Sequence, residues 1–127
     1  MQIIDRILSL RKLDTFRYTS DRELILLAET MGARHFSPAQ VILEKGKIGE
    51  QLYVVIEGST QVGSFSSSEE LLGLESIILG IPHRHTWAAG PEGADCLTLD
   101  RAYVFTLVHE CPSILLTSMG EQLGMAK

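Results

Sequence analysis

The sequence predicts an α+β domain, mainly β, in which a small antiparallel barrel or sandwich is flanked by helices at both ends. Three observations carry that prediction. Apolar residues fall at helical spacing near both ends of the chain, the middle switches to short apolar runs, and turn-forming glycines, prolines and serines separate those runs. A chain of 127 residues, 45% hydrophobic and 21% charged, is long enough to bury a core, and no repeat or linker divides it. The expected organisation is one domain over 1–127, with helices at about 2–31, a barrel at about 33–99 and helices at about 101–126.

Taken in order, Ile3, Ile4, Ile7 and Leu8 predict a short amphipathic helix. Ser20 with Glu23 forms a capping box, and Leu24, Leu27, Ala28 and Met31 continue it as an apolar stripe that Gly32 ends. From Ala33 the period changes. Val41, Leu43 and the run from Leu52 to Ile56 read as strands, separated by Ser37-Pro38, Gly46 to Gly49, and Gly58. The serine-rich piece from Gly63 to Glu70 reads as a loop. A strand is expected near Thr86 to Ala89, then a turn through Gly90, Pro91 and Gly93, then a last strand at Cys96, Leu97 and Leu99. Asp100 can cap a third helix through His109, and Pro112 suits the first turn of a fourth.

The formal net charge of −5, with no Lys/Arg-rich run, excludes a general nucleic-acid or anionic-membrane surface, because both need a basic patch. Cys96 and Cys111 form neither a disulfide framework nor a zinc motif and read as small buried hydrophobes in a reducing compartment. Glu75 interrupts the longest apolar run, and no stretch reaches the ~20 residues of a membrane helix. The N-terminal MQIIDRILSLRK mixes charges into its apolar pattern, unlike a signal peptide. The expected location is the cytoplasm.

The segment EKGKIGEQLYVVIEGSTQV is more specific. Gly46, Gly49, Tyr53, Val55 and Gly58 resemble the strand–turn–strand signature of the cyclic nucleotide-binding domain family. Glycines at such turns favour positive φ, and Tyr53 and Val55 alternate onto one strand face. LRKLDTFRYTSDRELILLAE is similar to the family's N-terminal helical segment, with Phe16 at its aromatic position. LTLDRAYVFTLVHECP is similar to its final strand and hinge helix, with Asp100, Phe105 and Pro112 in place. The resemblance covers nearly the whole chain and implies a sensory jelly-roll barrel flanked by helices.

It also implies that LLGLESIILGIPHRHTW is the phosphate-binding cassette, whose family glutamate accepts from the ribose and whose arginine pairs with the cyclic phosphate. Aligned without gaps from Gly73, the chain puts Leu74 at the glutamate position and His83 at the arginine position. Leucine accepts no hydrogen bond, and a neutral imidazole lacks the guanidinium fork. In extended chain Arg84 would point away from a pocket that His83 faces. Glu75 is expected to face solvent from a short helix. A cassette with one extra residue would restore Arg84 as the phosphate ligand. The candidate ligand-binding residues are Gly73, Leu74, Glu75, Ser76, His83, Arg84, His85 and Thr86. The chain between Val62 and Gly73 is also too short for the hairpin the family places there, so the barrel is expected to lack it or to form a stub.

Competing chemistry is weaker. His83 and His85 make the HxH pair of a cupin metal site, but the glycine and acid that pattern needs are replaced by Ile77 and Ala89/Gly90. The serines near Glu69 have no histidine nearby in sequence to activate them. Trp87 could stack on a base, although a lone tryptophan in an apolar strand is more often core. Ile114, Leu115, Met119 and Leu123 form one stripe on the last segment, where the family makes its dimer contact or closes over ligand. The expected function is a non-catalytic regulatory or sensor domain without cofactor. It would act through protein contacts, as a homodimer or on a larger protein, or through a small ligand. A cyclic AMP or cyclic GMP receptor is the alternative, and a cupin-like metalloenzyme a distant third.

Overall fold

Two long antiparallel strands, β3 (Gln51–Val62) and β6 (Trp87–Asp100), pair over most of their length and form the spine of the molecule, a computed structural model that describes residues 2–110. β1 (Gly32–Phe36) and β2 (Val41–Leu43) share the far edge of β6, while β4 (Phe65–Ser67) and β5 (Leu71–Leu72) share the far edge of β3. The described sheet is antiparallel throughout and wraps into an open jelly-roll sandwich. Helices α1 (Ile3–Arg11), α2 (Asp21–Thr30) and α4 (Arg101–Glu110) flank it, and the short α3 (Leu74–Leu79) lies between β5 and β6.

The two-residue period of the strands feeds two cores. Leu52 and Val54 of β3, with Leu97 and Leu99 of β6, pack outward against Leu10, Phe16, Leu24, Val104 and Leu107 of the helices. The alternating Tyr53, Val55 and Cys96 turn inward and fill the barrel with Phe36, Leu43, Leu72 and Trp87. Phe36 and Tyr53 meet edge to face with ring centroids 5.7 Å apart. Burial raises the Cys96 thiol to about 12, which makes it a hydrophobe rather than a nucleophile.

The helical end is tied down by named contacts. The capping box forms as the sequence suggests, with Ser20 Oγ accepting from the Glu23 amide at 3.2 Å and Glu23 Oε1 accepting from the Ser20 amide at 3.1 Å. Arg6 donates to the Ala28 carbonyl at 2.9 Å and also to the Met31 carbonyl, fastening α1 to the C-terminal end of α2. The Glu70 carboxylate accepts from the Asp14 amide at 3.1 Å and from the Thr15 amide and hydroxyl at 2.9 and 2.6 Å. That carboxylate pins the 3-10 turn Asp14–Phe16 to the chain just ahead of the cassette segment.

Several sequence expectations need correction. The turn expected at Gly90 to Gly93 is no turn, because β6 runs unbroken from Trp87 to Asp100. Those residues are the extra ones of a bulge in β6: between the pairs Gly58–Ala94 and Thr60–Ala89 they stand against Ser59 alone, so they bend β6 without reversing it. The expected loop at 63–70 holds β4, which pairs with the end of β3 as a short hairpin, the expected stub. In α1 the pattern gives the helix but not its buried face: Ile4 and Leu8 are exposed, and Leu10 enters the core. The fourth helix expected after Pro112 falls outside the described residues, as does Cys111.

Candidate functional site

The site is built where α3 and the segment that follows it close over the mouth of the barrel. Gly73 starts α3 in the left-handed region at φ 97°, which the mainly right-handed preference of other residues disfavours. Successive side chains on a helix are rotated by about 100°. Leu74 and Ile77 therefore enter the core between sheet and helices, while Glu75 faces the other way, over the barrel mouth.

Ser76 holds this helix in place. Its buried hydroxyl accepts from the Gly49 amide at 2.8 Å and donates to the Ile81 carbonyl at 2.5 Å. The chain after α3 then lies along the β2–β3 turn. Ile48 bridges to Pro82, the His83 amide donates to the Lys47 carbonyl at 2.8 Å, and the Gly46 amide donates to the His83 carbonyl at 3.0 Å. At Gly49 the requirement for glycine is space, not φ: a Cβ would sit 3.1 Å from His83 Cε1 and 3.3 Å from Ser76 Oγ.

These elements enclose a cleft of about 330 Å³, within the size range of small-molecule sites. Leu43, Trp87 and Pro82 give it apolar walls; Glu69, Glu75, His83, Arg84 and His85 supply its charge and polarity. Arg84 Nε lies 2.7 Å from Glu75 Oε1, and the Glu75 side chain is only 16% exposed against 55% for Arg84. The cleft thus carries two carboxylates against one guanidinium. Desolvation holds the His83 pKa below its ordinary 6.5, so its imidazole is neutral at pH 7.

Of the candidate residues, Gly73, Glu75, Ser76, His83, Arg84 and His85 come together in the cleft. Leu74 does not: it is fully buried in the outer core and is no ligand group. Thr86 is exposed outside the cleft, its hydroxyl accepting from the Lys45 amide at 3.1 Å. The expectation that Arg84 points away from the pocket is overturned, and Glu75 is not solvent-facing. Residues 83–85 are not a strand, so alternation does not separate their side chains. Trp87 is half-buried, packing on the inner core with one side on the cleft. Sequence reasoning missed Glu69, for which no local signal exists in the serine-rich run.

A neutral His83 makes a pH prediction. Its lowered pKa contributes stability above pH 6.5 that is lost as the pH falls through the folded-state value. Urea unfolding of wild type and His83→Gln between about pH 7.5 and pH 5 should therefore show wild type losing stability relative to the variant. A difference that stays constant with pH would contradict burial as the cause.

No protein-family model matches the chain, and no curated protein matches its sequence. Solved structures do match. The regulatory domain of Toxoplasma gondii protein kinase A with cAMP superimposes with TM-score 0.78 at 17% identity, over 94% of this chain and 50% of that one. The regulatory subunit of a cAMP-independent protein kinase A from Trypanosoma brucei gives TM-score 0.78 at 18% identity, over 97% of this chain and 50% of that one. A cAMP-binding acyltransferase from Mycobacterium smegmatis gives 0.66 at 21% identity, over 84% of this chain and 36% of that one. The chain spans about half the length of the two kinase regulatory proteins. These superpositions show the fold: the chain has that of the cyclic nucleotide-binding domains.

Proposed function

We propose that this chain is a single, non-catalytic regulatory domain of the cyclic nucleotide-binding type that does not grip a cyclic nucleotide in the family's usual way. It acts in the cytoplasm, through protein contacts or through a different small ligand in the cleft. One observation carries this reading: the cleft's arginine is already occupied by an internal carboxylate, Glu75, at 2.7 Å. Leu74 and His83, which the ungapped alignment sets at the family's glutamate and arginine positions, offer no replacement, the one being buried in the outer core and the other neutral. A cyclic nucleotide brings a phosphate anion up against the Glu75 carboxylate, and like charges in a partly desolvated site repel. That a cAMP-independent kinase regulatory subunit shares the fold supports a regulatory role that does not require this ligand.

A second reading has its own observation. Arg84, which an extra cassette residue would restore as phosphate ligand, lines the cleft, and Glu75 lines it too. A receptor could take the ribose on Glu75 and the phosphate on Arg84. Thermal unfolding with cyclic AMP and cyclic GMP separates the two. A ligand at a hundred times its Kd stabilises by ~2.7 kcal/mol, so a receptor would show a clear rise in melting temperature. We expect no rise at up to about 1 mM nucleotide. A saturable rise that Arg84→Ala abolishes would establish the second reading instead.

A further inference from the structure

Arg84 is the one arginine or lysine among the described residues lining the cleft, and Glu75 takes it. The two partners are unequally held. Glu75 sits on α3 between Leu74, which is fully buried, and Ser76, which is cross-linked to Gly49 and Ile81. Those neighbours fix its backbone, and its side chain is only 16% exposed. Arg84 projects from an irregular segment and is more than half exposed. A largely buried acceptor thus holds an exposed guanidinium.

Resting on the reading above, we propose that Glu75 is the specificity-determining residue of the cleft: its carboxylate stands in for a ligand anion on Arg84 and so excludes anionic ligands. The group is intramolecular, and an incoming phosphate must displace it against an effective concentration of at least millimolar order. A displaced Glu75 would still lie close to Arg84 and repel the newcomer. Ligands without net negative charge escape both penalties. The class admitted is therefore neutral or cationic, with Trp87 and Leu43 offering apolar contact.

The test compares wild type, Glu75→Gln, Glu75→Ala and Glu75→Gln/Arg84→Ala by titration calorimetry at low salt, with circular dichroism to confirm folding. The probes are cyclic AMP, inorganic phosphate and, as an uncharged control, adenosine. Glu75→Gln keeps the shape of the side chain and one acceptor oxygen while removing its charge. We expect it to bind cyclic AMP at least about tenfold more tightly than wild type, with adenosine unchanged, and the added Arg84→Ala to cancel the gain. If both single variants fold and neither gains, the proposal fails while the regulatory reading stands. An equal gain for adenosine would also overturn it, because the cause would then be space rather than charge. If wild type itself binds cyclic AMP tightly and Glu75→Gln weakens it, both the proposal and the reading beneath it fall.

Discussion

Leu74→Glu is expected to unfold the domain, or nearly so, at neutral pH, although it restores the family's residue at that position in the ungapped alignment. Leu74 is fully buried among Leu52, Leu71, Ile77 and Leu97. Losing a buried leucine side chain costs about 2–5 kcal/mol, and an uncompensated carboxylate in its place adds a desolvation penalty. Together these consume most of the ~5–15 kcal/mol that stabilises an ordinary domain. The sign of the pH dependence follows from burial, which raises the folded-state pKa of an introduced acid. The neutral acid is tolerated better, so stability falls further as the pH rises past ~4.3, the unfolded-state value for glutamate. Urea unfolding at pH 4.5 and pH 7, with Leu74→Met as a volume-conserving control costing under ~1.5 kcal/mol, measures both effects. A variant that loses less than about 1 kcal/mol and gains a saturable cyclic AMP signal would mean that residue 74 faces the ligand space after all.

The same residue shows where the sequence was legible. Alternation along Leu52 to Val55 sorted side chains correctly between two cores, because a strand has a strict period of two. Ser20 and Glu23 announced a helix start through a local bond that needs no tertiary context. Gly46 and Gly58 take the expected positive φ, at 92° and 84°, but Gly49 does not, and Gly58 lies within β3 rather than at a turn. At the cassette that strand logic was applied to a segment that is part helix and part irregular chain. Helical rotation sends Leu74 inward and Glu75 over the cleft, and the bend at 83–85 lets His83 and Arg84 share one wall. The ion pair between Glu75 and Arg84 depends on that three-dimensional arrangement, and neither residue signals it alone. β6 was cut in two for the opposite reason. Gly90, Pro91 and Gly93 carry every local mark of a turn, and only the long-range pairing with β3 shows that they bend a continuous strand.

The bend itself yields the second large effect. Gly58 sits at φ 84° beside the bulge of β6, and a Cβ there would lie 2.2 Å from the Gly93 carbonyl oxygen and 3.0 Å from Ala94 Cα. Both obstacles are backbone, so no side chain can rotate away to make room. Gly58→Ala must either force an alanine into the left-handed region against that carbonyl or separate β3 from β6 at Ala94. The expected cost is about 3 kcal/mol or more, the range of strained-backbone substitutions with a steric clash. Gly46 supplies the comparison. Its φ is 92°, yet a Cβ there meets nothing within 4 Å, so Gly46→Ala should lose only the conformational part, about 1–2 kcal/mol. The difference between the two in urea unfolding isolates the close approach of the strands. Because β3 beyond the bulge pairs with Trp87 and with the β4 stub, the stronger variant should also disturb the cleft, read as a change in Trp87 fluorescence before global unfolding. Equal losses at the two glycines would show that the corner can open without cost, and that the strand crossing does not set the cleft's shape.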